Sequence, residues 1–234
     1  MAYRSVQVPR IGEVLLSKRR GAKHLRLSVT PKGQVRVSLP AWAPYRSGIA
    51  FATSRTDWIL EQLAQHNQQP ITDRARIGKL HRVAFIPVQG ASPLKIRTGN
   101  TLIEVRTTEP FDSPEVQKKL MAACEKALKS EATQLLPDRL RSLANAHGYN
   151  YKDIRIRKLI SRWGSCSKGG TITLSYYLMQ LPWDLIDYVL LHELTHTEHL
   201  HHGADFWDAL SKIIPEAKSL KKQIRDYKPQ VRPL

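Results

Sequence analysis

The sequence predicts an α+β protein: a β-rich amino-terminal unit with one helix, then a largely helical carboxy-terminal half with a small sheet. Three observations carry this. Residues 11–39 and 77–107 alternate apolar and polar side chains in short runs, the period-2 signature of half-buried strands. Residues 113–148 place apolar side chains at helical spacing over a length that no single strand reaches. Residues 182–196 form a second apolar-faced helix that ends in His192-Glu193-Leu194-Thr195-His196.

The elements follow in order. Val14-Leu15-Leu16, Leu25-Arg26-Leu27-Ser28-Val29 and Val35-Arg36-Val37-Ser38-Leu39 read as strands, and Pro31-Lys32-Gly33 makes residues 25–39 a hairpin. By parity Arg26 and Arg36 share its outer face. Residues 45–67 read as a helix through Ile49, Ala52, Trp58, Ile59 and Leu63. Short strands return over residues 81–88, 94–97 and 102–106, punctuated by Gly90, Pro93, Gly99 and Asn100. A long helix opens on Ser113-Pro114-Glu115, carries Val116, Leu120, Leu128, Leu136 and Leu140, and ends at Gly148. Pro137 predicts a kink or break within it. Ile154-Arg155-Ile156-Arg157 and Thr171-Ile172-Thr173-Leu174 read as strands on either side of a polar loop, 161–170. Helices are expected over 206–214 and 215–227, with a frayed end over 228–234. This groups residues 1–110 as a basic β-rich domain and 111–234 as a second domain.

Charge and composition narrow the function classes. The chain has 234 residues, 41% of them hydrophobic, which suits a globular protein with a buried core. No apolar run is long enough to cross a membrane, and Arg4, Arg10, Glu13 and Lys18 interrupt any signal-peptide core. The two cysteines, Cys124 and Cys166, form no CxxC pair and imply no disulfide framework, so a cytoplasmic location is expected. The net charge of +17 is uneven: residues 1–110 hold 18 Lys+Arg against 6 Asp+Glu, and residues 111–234 hold 19 against 14. The basic amino-terminal half suits nucleic acid, nucleotides or acidic proteins as partners, and equally a soluble basic surface with no dedicated polyanion.

The chemistry concentrates in residues 192–196. Side chains four apart lie on one face of a helix, so His192 and His196 can grip one metal ion. Glu193 then stands where a carboxylate can take a proton from water. A third ligand would leave one tetrahedral position open, as a catalytic zinc requires. His199, His201 and His202 all follow within six residues, and the carboxylates Asp205 and Asp208 lie beyond them. The spacing favours His202. The His196-to-His202 spacing resembles the HExxH-x5-H arrangement of some zinc proteases; His199 stands where the metzincins have a glycine that lets the chain turn back to the metal, and Gly203 is a second place for a bend. In the loop 161–170, Arg162 is suited to stabilise a developing anion and Trp163 to wall a cleft. Phe206 and Trp207 read as packing that anchors the His202 segment.

Taken together, Arg162-Trp163-Gly164-Ser165-Cys166-Ser167, Thr171–Leu174, the run 188–196, His202 and Phe206-Trp207 resemble the YgjP-like metallopeptidase family, related to the WLM and SprT-type zinc proteases. Residues 26–40, 57–60 and 115–157 extend the resemblance over most of the chain. It implies a zincin-like carboxy-terminal domain with one zinc ion on His192, His196 and His202, and Glu193 as catalytic base. It also implies that Thr171–Leu174 is an edge strand near the cleft that pairs with extended peptide, making Thr171 and Thr173 candidate substrate contacts. Two positions depart from the family pattern: His201 and Ser175 stand where the family often has Asn.

The leading function is therefore zinc-dependent hydrolysis of a peptide or protein substrate, including proteins associated with nucleic acid. One rival keeps the metal and directs it at nucleoside triphosphates as a pyrophosphatase. Another is a basic nucleic-acid-binding protein with a structural zinc.

Overall fold

In the computed structural model, residues 3–30, 33–66, 70–90, 93–227 and 229–231 are described. The chain divides into two compact units, one preceding Pro70 and one from Pro70 onward.

In the amino-terminal unit, alternation produces the strands β1 (Tyr3–Val8), β2 (Gly12–Arg19), β3 (Arg26–Val29) and β4 (Val35–Pro40). They form a sheet in the order β1-β2-β4-β3, in which β2 and β4 run parallel and the other pairs antiparallel. The 25–39 hairpin is present, and Arg26 and Arg36 share a face because Arg26 pairs with Ser38 and Ser28 with Arg36. Of its turn, Pro31 and Lys32 lie outside the described residues, and Gly33 adopts φ 74°. Val14, Leu16, Val35, Val37 and Leu39 form the buried face.

The helix expected over 45–67 is two helices, α1 (Tyr45–Ser54) and α2 (Thr56–His66), broken at Arg55; residue 67 lies outside the described residues. Arg55 caps α1 with φ −116°, outside the helical range, and the chain restarts at Thr56. Ala52 and Ile59 join the sheet's core.

The second unit starts earlier than the sequence grouping placed it. Ile71, Ile77, Val83, Ile103 and Val105 bury in one cluster with the long helix, so the strands of 76–107 belong with the carboxy-terminal half. These are β5 (Arg76–Ile77), β6 (His81–Pro87), β7 (Lys95–Thr98) and β8 (Leu102–Thr107), in the order β5-β6-β8-β7. The long helix, α3 (Pro114–His147), has Ser113 as N-cap, its Oγ accepting from the Val116 N–H, and Gly148 at φ 75° as its stop. Pro137 does not break it. The proline forfeits one i→i−4 hydrogen bond, and burial of Leu136 and Leu140 on either side holds the helix together.

A fully buried carboxylate locks sheet to helix. Glu131 of α3 accepts from the backbone N–H groups of Lys79 (2.6 Å), Leu80 (3.0 Å) and His81 (3.0 Å), and its Oε1 lies 2.6 Å from His81 Nδ1. Gly78 in this turn has φ 71°, and a Cβ there would collide with the Glu131 carboxylate.

The remaining elements carry the histidines. A small sheet of β9 (Asp153–Arg157), β10 (Gly164–Cys166) and β11 (Thr171–Ser175) runs in the order β10-β11-β9. A 3-10 turn, Tyr176–Gln180, leads to α4 (Trp183–Thr195), then α5 (Ala204–Ile213) and α6 (Ala217–Asp226). Lys228 and residues 232–234 of the end expected to fray lie outside the described residues. Val231 is buried, and its backbone exchanges two hydrogen bonds with the Gln180 side-chain amide. No helix among the described residues is long and apolar enough to cross a membrane.

Candidate metal centre

Helix α4 is built to bury one side and offer the other. Pro182 enters extended as its N-cap, Asp184 lies in the first turn, and Leu185, Ile186, Val189, Leu190 and Leu194 pack into the core. His192 falls in the last turn, and His196 is the C-cap, still near helical geometry at φ −68° and ψ −14°. The two imidazoles therefore face the same way, as their spacing predicts.

The chain then returns to them without any left-handed residue. Between 192 and 203 no φ is positive, and Gly203 is extended at φ −77° and ψ −172°. The turn is made by winding on: Thr197 N–H donates to Leu194 O, and His199 N–H to Thr195 O. The turn is thus built without the glycine that the metzincins use at the place of His199. Its backbone carbonyl accepts from His196 Nδ1 at 2.9 Å, a contact any residue can make. That bond leaves the lone pair of a neutral His196 on Nε2.

Three ring nitrogens converge. His202 Nε2 lies 3.1 Å from His196 Nε2 and 3.0 Å from His192 Nε2. One ligand atom from each of the three histidines lies within 4.8 Å of the others. Among the described residues this is the one such group, and His199, His201, Asp205 and Asp208 are not in it. Phe206, fully buried, backs all three rings at 4.6–4.9 Å, and Trp207 stacks on His202 at 5.8 Å. Both act as packing behind the histidines.

The donor set fits a divalent ion. His202 Nε2 faces two other ring nitrogens and can carry only one proton, so hydrogen bonding cannot satisfy all three. A cation accepting three lone pairs can. Tetrahedral zinc with nitrogen ligands at about 2.0–2.1 Å needs nitrogens roughly 3.3–3.4 Å apart, close to the spacing found. Burial, then the charges of His196, His202 and Lys221, pushes His192 down to about 3, which favours the neutral imidazole, the form that can offer a lone pair. Its Nδ1 is buried without a hydrogen-bond partner among the described residues.

Glu193 is 5% exposed, and its Oε2 is buried without a partner among the described residues. Burial pushes its carboxyl up to about 7, against the lowering effect of Arg162. It lies against β10, where Gly164 approaches it closely. A cavity of about 480 Å³ opens in front, lined by Arg162, Ser165, Cys166, Glu193 and the histidines. A second, of about 250 Å³, shares Arg162, Gly164, His192 and Glu193 with it and adds Trp163, Tyr188, Val189 and Ile224. Tyr188 opens the run 188–196 that carries the family resemblance, whereas Ile224 registers in the sequence only as an apolar helix position. Burial also raises the Cys166 thiol, with Glu193 adding to the shift.

The small sheet corrects one expectation. Thr171–Leu174 is not an edge strand: β11 is bonded on one side to β10 and on the other to β9. Thr171 and Thr173 line neither cavity. The strand at the edge beside Glu193 is β10, whose three residues are too short a run to show alternation.

Comparison with known proteins shows the family to which the chain belongs. No curated protein matches the chain. The solved metallopeptidase zymogen of Pyrococcus abyssi, abylysin, is 33% identical, covering 38% of this chain and 91% of that one at a TM-score of 0.35. Jannalysin, the metallopeptidase zymogen of Methanocaldococcus jannaschii, is 24% identical, covering 38% and 92% at 0.35. With overlaps so partial, the assignment rests on a family match. The YgjP-like, metallopeptidase domain matches residues 23–227, nearly the whole of the described chain, and the protein belongs to that YgjP-like metallopeptidase family.

Proposed function

We propose that this metallopeptidase holds one zinc ion on His192, His196 and His202 and hydrolyses peptide bonds with Glu193 as general base. One observation carries the reading: three imidazole Nε2 atoms converge beside a buried carboxylate whose Oε2 has no partner among the described residues. When bound, zinc supplies Lewis acidity that polarises a scissile carbonyl and acidifies water.

The chain's own groups do the rest. Glu193 takes a proton from the attacking water at Oε2 and delivers it to the departing amine nitrogen. Its burial suits the task, because a carboxylate in an apolar setting is a stronger base than one in water. Arg162 lines both cavities, and its guanidinium suits it to bind substrate carbonyl oxygen as negative charge develops. Trp163 walls the smaller cavity. The edge strand β10 offers backbone N–H and C=O groups on which an extended peptide can add as a further strand.

The test is a pair of assays on the zinc-loaded protein: a peptide library read by mass spectrometry, and a panel of nucleoside triphosphates read by pyrophosphate release. Cleavage of peptides without pyrophosphate release supports the reading. Pyrophosphate release without peptide cleavage replaces it.

A further inference from the structure

The amino-terminal unit carries a charge pattern that the histidine site does not use. It has 11 Lys+Arg against 3 Asp+Glu up to residue 69. The topology sorts these charges. β1 begins where β2 ends, β4 ends beside it because the two run parallel, and β3 begins there because it runs antiparallel to β4. One end of the sheet thus gathers Arg4, Lys18, Arg19, Arg20, Lys23 and Arg26, all exposed, and α1 brings Arg46 to the same end. None of them pairs with an acid among the described residues.

The acids lie elsewhere. Glu13 pairs in register with Gln7 at the opposite end of the sheet and accepts from the Ser5 hydroxyl. Asp57 pairs with Arg10 in the β1–β2 turn, also at that end, and Glu61 follows one turn along α2. The basic end also presents aromatic surface. Arg4 and Lys18 hold their charges 5.2 Å and 5.1 Å from the centre of the Tyr45 ring. Lys18 Nζ also donates to Ala41 O, beside Trp42. Trp42 is 79% exposed, far more than packing would leave an indole. Helix α1 opens at this end with no acidic residue in its first turn.

We propose that this end of the amino-terminal sheet binds single-stranded nucleic acid, with phosphates on the cation row and a base stacked on Trp42. An exposed indole beside cations suits an unstacked base; a duplex keeps its base faces covered. The inference does not rest on the peptidase reading and stands if the histidine site acts on something else.

The test is fluorescence anisotropy of the full chain with a labelled oligothymidylate of twenty nucleotides, a hairpin duplex of equal charge, and anionic phosphatidylserine vesicles, from about 50 to 200 mM salt. The oligothymidylate should bind most tightly, with affinity falling by a log–log slope of about −3.5 to −5 if five to seven phosphates are neutralised. Trp42→Ala should weaken it about tenfold. The double variant R19E/R20E should weaken it further and flatten the slope, while Lys129→Glu in the second unit leaves it unchanged. Unchanged melting temperatures confirm that these surface variants fold. The proposal is overturned if the oligothymidylate does not bind, if duplex or vesicles bind as well, if Trp42→Ala has no effect, or if Lys129→Glu costs as much as the sheet-end variants.

Discussion

Gly164 lies so close to Glu193 that a Cβ at position 164 would stand 2.8 Å from both Cγ and Oε1 of that side chain. Carbon atoms do not approach that closely, so any larger residue must displace the Glu193 side chain. Gly164→Ala should therefore keep zinc at one equivalent and lower kcat about 100-fold or more, the cost of roughly an ångström of misplacement. Zinc analysis and peptide turnover on the same preparation check this, and loss of metal in the variant would mean that the glycine serves folding alone.

The three crowded histidines are separated by what each presents. His202 brings a ring nitrogen to the cluster, His199 only its backbone carbonyl, and His201 neither. His199→Ala and His201→Ala should bind zinc like the wild type. His202→Ala should weaken binding by more than about 100-fold, since the loss of a ligand exceeds the 10–100-fold typical of an outer partner. Competition with a fluorescent chelator reads all three.

The buried Glu131 supports the fold rather than the chemistry. Its removal leaves the buried His81 ring and backbone N–H, and the part-buried N–H groups of Lys79 and Leu80, without their acceptor. Glu131→Ala should cost about 3–5 kcal/mol in urea unfolding, while folded protein keeps its zinc affinity.

The sequence made some of this legible and hid the rest for physical reasons. The helical period of α3 and its Ser113 and Gly148 caps are local signals, so its ends could be read closely. The pairing of His192 with His196 follows from helix geometry alone. The break at Arg55 was hidden because the apolar period of 45–66 continues across it. Glu131 looked like one more helix charge, because its partners lie some fifty residues earlier in the chain. The edge position of β10 and the grouping of 70–110 with α3 depend on non-local pairing, which a period cannot report.

Burial pushes the Cys124 thiol up to about 12. At pH 8 almost none of this thiol is ionised, and the thiolate is the reactive form. Cys124 should resist alkylation in the folded protein up to at least pH 9 and react at once in denaturant. The Cys166 thiol, also raised but less buried, should react before it. Mass spectrometry after timed iodoacetamide treatment distinguishes the two sites.

Glu193→Gln tests the central claim most directly, because the amide keeps the shape of the side chain and removes its basicity. Zinc content and peptide turnover are measured on the same sample. One zinc per chain with turnover reduced by about 100-fold or more is the predicted result. Turnover at the wild-type rate with zinc still bound would contradict the account.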